Sequence, residues 1–343
     1  MAAYIDEDLN DPSKYFEGKA YAGSEGTDTI SLDSDVMQPD MVWIKDRGTT
    51  AAHTIQDAVR GFNAANKLSS NHTSGENDSE GATWENYGHV SAVASSSFTV
   101  VEGDNTPSQV NDGGGDTYIA WCWKESATAG FDIITWTVPS SGSTTISHSL
   151  SAVPQMIISK SRSNATDWEM YHHTSGNDNT NQLNTTAVPN DNNAYNDTDP
   201  TSSVFSVTAA GFGADRTMVT YAFAPKQGFS KFGKFSANNN AAGPFIYTGF
   251  RPAWLGMKRT DSTENWYQND NKRDPFNPVD GKLLLLNKTD AEISTSYPVD
   301  FLANGFKIRG ANNITNASSG TYLYFAWAEA PFVNSKGVPG NAR

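Results

Sequence analysis

The stretch "TYIAWCWKE" at Thr117–Glu125 returns, altered but recognisable, as "TMVTYAFAP" at Thr217–Pro225 and "TYLYFAWAE" at Thr321–Glu329. Alternation decides its reading, because successive side chains of a strand point to opposite faces. Ile119, Trp121 and Trp123 then share one face, and Tyr118, Ala120 and Cys122 the other. In the second copy Tyr221 and Phe223 hold the two aromatic positions. The third copy sets Leu323, Phe325 and Trp327 against Tyr322, Tyr324 and Ala326. Both faces are apolar or small, the pattern of a strand covered on both sides. The sixth position carries Cys122, Ala222 and Ala326, small enough to let another layer approach. The stretch predicts the central strand of a sandwich, used three times.

Working outward, a longer repeat emerges. A proline opens a hydrophobic strand in "PDMVWIKDR" (Pro39–Arg47), "PQMIISKSR" (Pro154–Arg162) and "PAWLGMKRT" (Pro252–Thr260), each with a lysine six residues on: Lys45, Lys160, Lys258. A polar-aromatic segment follows, "TDWEMYHH" (Thr166–His173) and "TENWYQND" (Thr263–Asp270). The first copy departs here, with "AHTIQDAVRG" (Ala52–Gly61). Next comes N-x-T, at Asn71 and Thr73, Asn184 and Thr186, Asn287 and Thr289. A Phe-containing strand and a Gly/Asn/Ser loop lead into the closing stretch. The spacing of about 100 residues makes each copy a domain, not a solenoid unit of roughly 20–50.

The segments are short, rich in Val, Ile, Phe, Tyr, Trp and Thr, and bounded by Gly, Asn, Asp and Ser. The fold class is therefore all-β: three tandem β-sandwich (jelly-roll or lectin-like) domains. The boundaries read 14–126, 127–228 and 229–333, with an N-terminal docking segment 1–13 and a C-terminal tail 334–343. Thr54–Leu68 carries Ile55, Val59 and Phe62 at helical spacing and Gly61 against it, and supports either a short helix or a strand with a long turn.

Composition bounds the function. The chain of 343 residues is 37% apolar and 18% charged, with nine Trp, seventeen Phe and thirteen Tyr to anchor small cores. A net charge of -14 argues against a nucleic-acid partner, since phosphate binding needs a positive field. Cys122, the single cysteine, reads as a buried small hydrophobe. No apolar run reaches the length of a membrane span, and the first residues lack the basic-then-apolar pattern of a secretory signal.

The polar motifs support structure more readily than chemistry. N-x-T is a glycosylation sequon, but Asn and Thr also close turns by bonding nearby backbone, the reading favoured here. The three lysines end strands, where a side chain normally stays solvated and blunts an edge. Asp167, Glu169, His172 and His173 in "DWEMYHH" follow no metal-ligand spacing, and the Asp-rich loops suit either solvent or calcium. No G-x-S-x-G elbow occurs, and no pair of carboxylates is singled out, although acids distant in sequence can meet in space. No catalytic residue, cofactor or metal is expected. Trp168 and Trp266 align between copies and read as core. Trp84 and Tyr87 sit in an insertion of the first copy and read as surface contacts.

The pieces "PDMVWIKDR", "SNHTSGE", "DTYIAWCWK", "PFIYTGFRPAWLGMKRTDSTENWYQNDNKRDPFNP" and "TYLYFAWAEAPF", in this order, resemble a family of tail-fibre and other appendage proteins of tailed bacteriophages, especially marine and cyanophage-like ones. The resemblance runs from about Pro12 to Arg343. It implies repeated β-sandwich, lectin-like modules on a virion, without established catalytic residues. The function so implied is that of a non-enzymatic structural protein, a tail-associated fibre or knob that contacts the host surface. A capsid decoration protein, a carbohydrate-binding module and a polysaccharide-degrading enzyme stay open as alternatives. The implied partners are other virion proteins, further copies of the chain in a homo-oligomer such as a trimer, and a host glycan or protein. The implied location is the particle surface or tail, after assembly in the host cytoplasm.

Overall fold

A computed structural model of the chain describes residues 9, 11–76, 84–279, 282–294 and 297–329. The first third contributes β1 (Phe16–Ala22), β2 (Thr27–Ser31), β3 (Met41–Asp46), β4 (Thr54–Asp57), β5 (His89–Ala94), β6 (Ser97–Val101) and β7 (Thr117–Trp123). The second contributes β8 (Phe131–Thr137), β9 (Ser143–Ser147), β10 (Met156–Ser161), β11 (Glu169–His172), β12 (Asn181–Gln182), β13 (Val204–Thr208) and β14 (Thr217–Phe223). The third contributes β15 (Ser230–Ser236), β16 (Ala242–Tyr247), β17 (Trp254–Arg259), β18 (Trp266–Asp270), β19 (Leu284–Leu285), β20 (Val299–Leu302), β21 (Gly305–Arg309) and β22 (Thr321–Trp327).

Each third builds one larger and one smaller antiparallel sheet. The larger sheets run β1-β7-β3-β4, β8-β14-β10-β11-β12 and β15-β22-β17-β18-β19; the smaller run β2-β6-β5, β9-β13 and β16-β21-β20. The closing stretches are β7, β14 and β22. Each lies between its first and third strands, as in Trp121 opposite Gly18 on one side and Trp43 on the other. The alternation in the sequence has a physical counterpart. Tyr118, Ala120 and Cys122 face the small sheet of their own third, as do Ala222 and Ala326 in theirs. Cys122 is buried and unpaired, its thiol pushed upward by burial.

The opposite faces meet one another. Ile119, Trp121, Trp123, Val219, Tyr221 and Phe223 belong to one cluster that continues into Leu323, Phe325 and Trp327. Each larger sheet is therefore a middle layer, with its own small sheet on one side and the other two thirds on the other. Edge-to-face contacts knit this interior: Trp123 to Trp327 at 5.5 Å between centroids, Phe223 to Trp327 at 5.2 Å, and Trp121 to Trp254 at 6.0 Å. A void of about 20 Å³ remains among them. Trp168 and Trp266 lie in the same cluster.

Two expectations find their resolution in this architecture. Thr54–Leu68 begins as β4, with Ile55 opposite Trp43, and turns through a short 3-10 segment at Ala64–Asn66. Gly61 sits at φ +89, outside the helical region, so no helix spans the segment. Of the docking segment 1–13, residues 1–8 and 10 lie outside the described residues, whereas Leu9 is buried in the central cluster. The tail 334–343 lies wholly outside them.

Candidate functional site

The repeated polar residues hold the thirds together in a ring. Within each copy, the Asn of N-x-T accepts a hydrogen bond from the backbone that enters the fourth strand: Asn71 Oδ1 from His53 N (2.9 Å), Asn184 Oδ1 from Trp168 N (2.8 Å), Asn287 Oδ1 from Trp266 N (3.0 Å). The ring of that same residue then reaches the preceding third. Trp168 Nε1 donates to Ser69 O (2.8 Å), Trp266 Nε1 to Gln182 O (2.9 Å), and His53 Nε2 to Leu285 O (3.1 Å). The contacts run second to first, third to second and first to third, so the ring closes.

His53 stands where the other copies have tryptophan. Its Nδ1 accepts from Trp43 Nε1 at 2.9 Å, which leaves Nε2 to carry the hydrogen given to Leu285. Burial, then the charge of Lys45, pushes its pKa down to about 3, and the imidazole is neutral.

The Thr of N-x-T serves the same seams through its carbonyl. Thr73 O accepts from Thr166 N (2.8 Å) and Lys160 Nζ (2.8 Å); Thr186 O accepts from Glu264 N (3.1 Å) and Lys258 Nζ (3.2 Å); Thr289 O accepts from Ala51 N (3.0 Å). The expectation of solvated strand-end lysines is thereby overturned. Lys45, Lys160 and Lys258 are 0%, 0% and 1% exposed. At Lys160 and Lys258 a carbonyl of the neighbouring third replaces water, whereas Lys45 donates to the Asp46 and Thr49 carbonyls of its own third. Burial pulls Lys45 and Lys258 down to about 8.

Charged groups lock two of the three seams. Between first and second thirds, Glu76 bridges Arg60 Nη1 (2.9 Å) and Arg162 Nε (2.9 Å), and Glu76 N donates to Arg162 O (2.7 Å). Arg60 also pairs with Asp57 (2.5 Å), whose Oδ2 accepts from Tyr221 of the second third at 2.7 Å. Between third and first, Glu292 bridges Arg273 Nη1 (3.2 Å) and Arg47 Nε (2.9 Å), and Glu292 N donates to Arg47 O (2.8 Å). Arg273 pairs with Asp270 (2.7 Å), which accepts from Trp121 Nε1 at 3.1 Å. The two networks match position for position.

The seam between second and third thirds lacks all of it. Ser175 occupies the place of Arg60 and Arg273, Pro189 that of Glu76 and Glu292, and Thr260 that of Arg162 and Arg47. Phe325, with no donor, replaces Tyr221 and Trp121. Opposite it, His172 replaces the aspartate and bonds Tyr324 O through Nε2 at 3.3 Å. His173 Nε2 bonds Phe232 O at 3.2 Å, so both histidines of "DWEMYHH" serve this seam. What remains is a cleft of about 360 Å³ open to solvent. Thr174, Ser175, Asn179, Thr260 and Thr321 line it with hydroxyl and amide groups, while Val188, Pro189 and Leu323 form an apolar wall. Lys234 and Asp261 are its charged residues; Asp261 is engaged by Arg259 at 2.9 Å and by Thr321 N at 2.9 Å.

Other residues singled out by sequence lie elsewhere. Tyr87 is half-buried at the end of a 3-10 turn, Trp84–Tyr87, and the Trp84 side chain lies outside the described residues. Among the described residues the exposed aromatics are Phe245, Tyr247 and Phe276, which the sequence did not single out. No group of three or more His, Cys, Asp or Glu gathers there in a metal-binding arrangement, and no helix there is long and apolar enough to cross a membrane. The cleft residues were missed too. The signal for them lay in comparing copies, where two conserve an Arg, Glu and Arg that the third loses together.

Fold and seams define a class: a nearly all-β chain, with one short helix at Ala209–Phe212, of three repeated sheet pairs closed around one interior. The chain belongs to the family described as a domain of unknown function, DUF7483, whose model matches residues 11–331. That match spans all three copies as one unit. No curated protein matches the chain.

Proposed function

We propose that the protein is a non-enzymatic structural protein of a phage particle, a tail-associated fibre or knob that contacts the host surface. In this reading three jelly-roll or lectin-like β-sandwich domains, 14–126, 127–228 and 229–333, are fused through a common interior. Its partners are other particle proteins, further copies of the chain, and a host glycan or protein. It joins the particle in the host cytoplasm and ends on its tail or surface.

The assignment to a phage rests on the resemblance of the repeated segments. The structural role is supported by one observation: the buried charges and rings of the repeat are spent on ties between thirds. Lys160 and Lys258 bond the Thr73 and Thr186 carbonyls of the preceding third, Arg60 donates to Tyr221 of the second, and Arg162 and Arg47 pair with Glu76 and Glu292 across their seams. Such a body is rigid without disulfides, which suits assembly in a reducing compartment. Peptide mass spectrometry of gradient-purified particles tests the reading. The chain is expected there in a stoichiometric amount; presence in the lysate with absence from the particles overturns it.

A further inference from the structure

We infer that the open seam between the second and third thirds is a binding site for one small, neutral, polyhydroxylated molecule the size of a single sugar ring. The inference deepens the host-contact reading above and rests on it for its setting; its chemistry comes from the cleft.

Comparison of the three seams carries the argument. Two are filled by Arg–Glu–Arg bridges, and the third is emptied at all three positions at once. One lost charge would strand its partners in a buried site, so joint loss leaves a cleft without orphaned charges. It also frees backbone. Pro189 has no N–H, so the Thr260 carbonyl receives none of the bonding that Glu76 and Glu292 give Arg162 and Arg47. Around that carbonyl stand groups with capacity to spare. Ser175 Oγ accepts from Asn181 Nδ2 at 3.1 Å and keeps its own hydrogen to give. The Thr321 hydroxyl and Asn179 Oδ1 make no hydrogen bond among the described residues, and Lys234 makes no ion pair there.

These groups select the ligand class. A mixture of donors and acceptors matches hydroxyl groups, and the Val188, Pro189 and Leu323 wall matches the C–H face of a ring. The volume of about 360 Å³ lies near the low end of small-molecule sites, roughly 300–1,000 Å³. One ring fits that description better than a chain of them. A net charge of -14 disfavours acidic ligands. Without an aromatic platform or a buried charge the affinity is weak, with a Kd on the order of 1 mM.

Saturation-transfer NMR on the full chain with D-glucose, D-galactose, D-mannose and N-acetylglucosamine, each alone, provides the test. At least one is expected to bind saturably. Thr260→Arg and Ser175→Arg, which return to the cleft the side chains of the closed seams, are each expected to abolish that signal in a folded protein. Lys234→Ala, at an exposed position, is expected to weaken it by about threefold, as for a solvent-screened contact. The inference is overturned if no sugar saturates by about 50 mM, well beyond the expected Kd. It is equally overturned if binding survives in whichever Arg variant folds. A protein found in particles that binds no sugar fails this inference alone. One that binds sugar but is absent from particles fails only the assignment to the particle.

Discussion

At Gly256 the space for a side chain has been taken by the strand beside it. Gly256 pairs with Phe325, and a Cβ there would lie 2.3 Å from the ring. The ring cannot retreat, because Trp254 stacks on it at 5.4 Å and Trp266 packs against it, tilted, at 6.0 Å. The other copies have Trp43 and Ile158 at this position, so each seam solves its packing with different volumes. Gly256→Ala is expected to cost about 1–3 kcal/mol by overpacking, and Phe325→Leu in the same chain to recover part of it. Urea unfolding of the single and double variants measures both.

His53 supplies a second test at this scale. It is buried and neutral, with a pKa of about 3 against 6.5 for a free side chain, and burial takes His172 to about 3 as well. Between these values the unfolded chain binds the extra protons, so stability falls as pH falls. Burial raises Glu169 and Glu329 to about 7, and Glu125 upward, which works in the opposite sense between pH 7 and 4.5. The two effects oppose each other down to about pH 4.5, and Asp40 and Asp116, raised by burial, extend the opposition towards 3.8. Below that Asp33 and Asp261, held down to about 2 by their Lys and Arg partners, act with the histidines. Stability should drop steeply there, by about 1.4 kcal/mol per pH unit for each histidine. His53→Gln, which keeps a donor and an acceptor, is expected to remove one histidine's share of that slope in thermal melts between pH 3 and 4.5.

Among the elements, the closing strands were the most legible in sequence. A period of two with apolar groups on both faces requires cover on both sides, and β7, β14 and β22 have it. What provides that cover was not legible. Trp121 looks the same whether it faces a second sheet of its own third or another third altogether. The lysines misled for the same reason. Lys160 ends a strand and reads as solvated until Thr73, 87 positions earlier in the chain, covers it. N-x-T read as a turn motif bonding nearby backbone, but its Asn instead accepts from the strand entry 16 to 21 residues earlier, and its Thr carbonyl acts across a seam that no local pattern reveals. The seams also differ in strength. Glu76→Gln weakens two charge-assisted bonds and is expected to cost about 1.5–3 kcal/mol. Introducing Pro189→Glu with Thr260→Arg should add no more than about 1 kcal/mol, because the pair would be partly exposed and lack the third member. Equilibrium denaturation of the two variants side by side reads the contrast.

For the molecule as a whole, the interior belongs to no single third. A fragment 127–228 would expose Phe131, Met156, Trp168, Tyr221 and Phe223, all buried in the intact chain. It is expected to self-associate or remain unfolded in sedimentation and dye-binding measurements. The intact chain should melt in one transition with equal calorimetric and van't Hoff enthalpies. Three separate transitions would mean that the thirds are independent.

The last strand meets the first: Phe16 lies 6.3 Å from Trp327 between ring centroids, and Lys272 of the third copy pairs with Asp33 of the first at 2.9 Å. The ring is thus indifferent to where its backbone is interrupted. A circular permutant with new ends between 225 and 229, and a bridge joining 329 to 9 so that the buried Leu9 is kept, should reach the same native state by circular dichroism. In the natural order, the last copy to leave the ribosome completes the interior. Until then two aromatic sheets wait with their inner faces uncovered, and that interval is when a chaperone has something to hold.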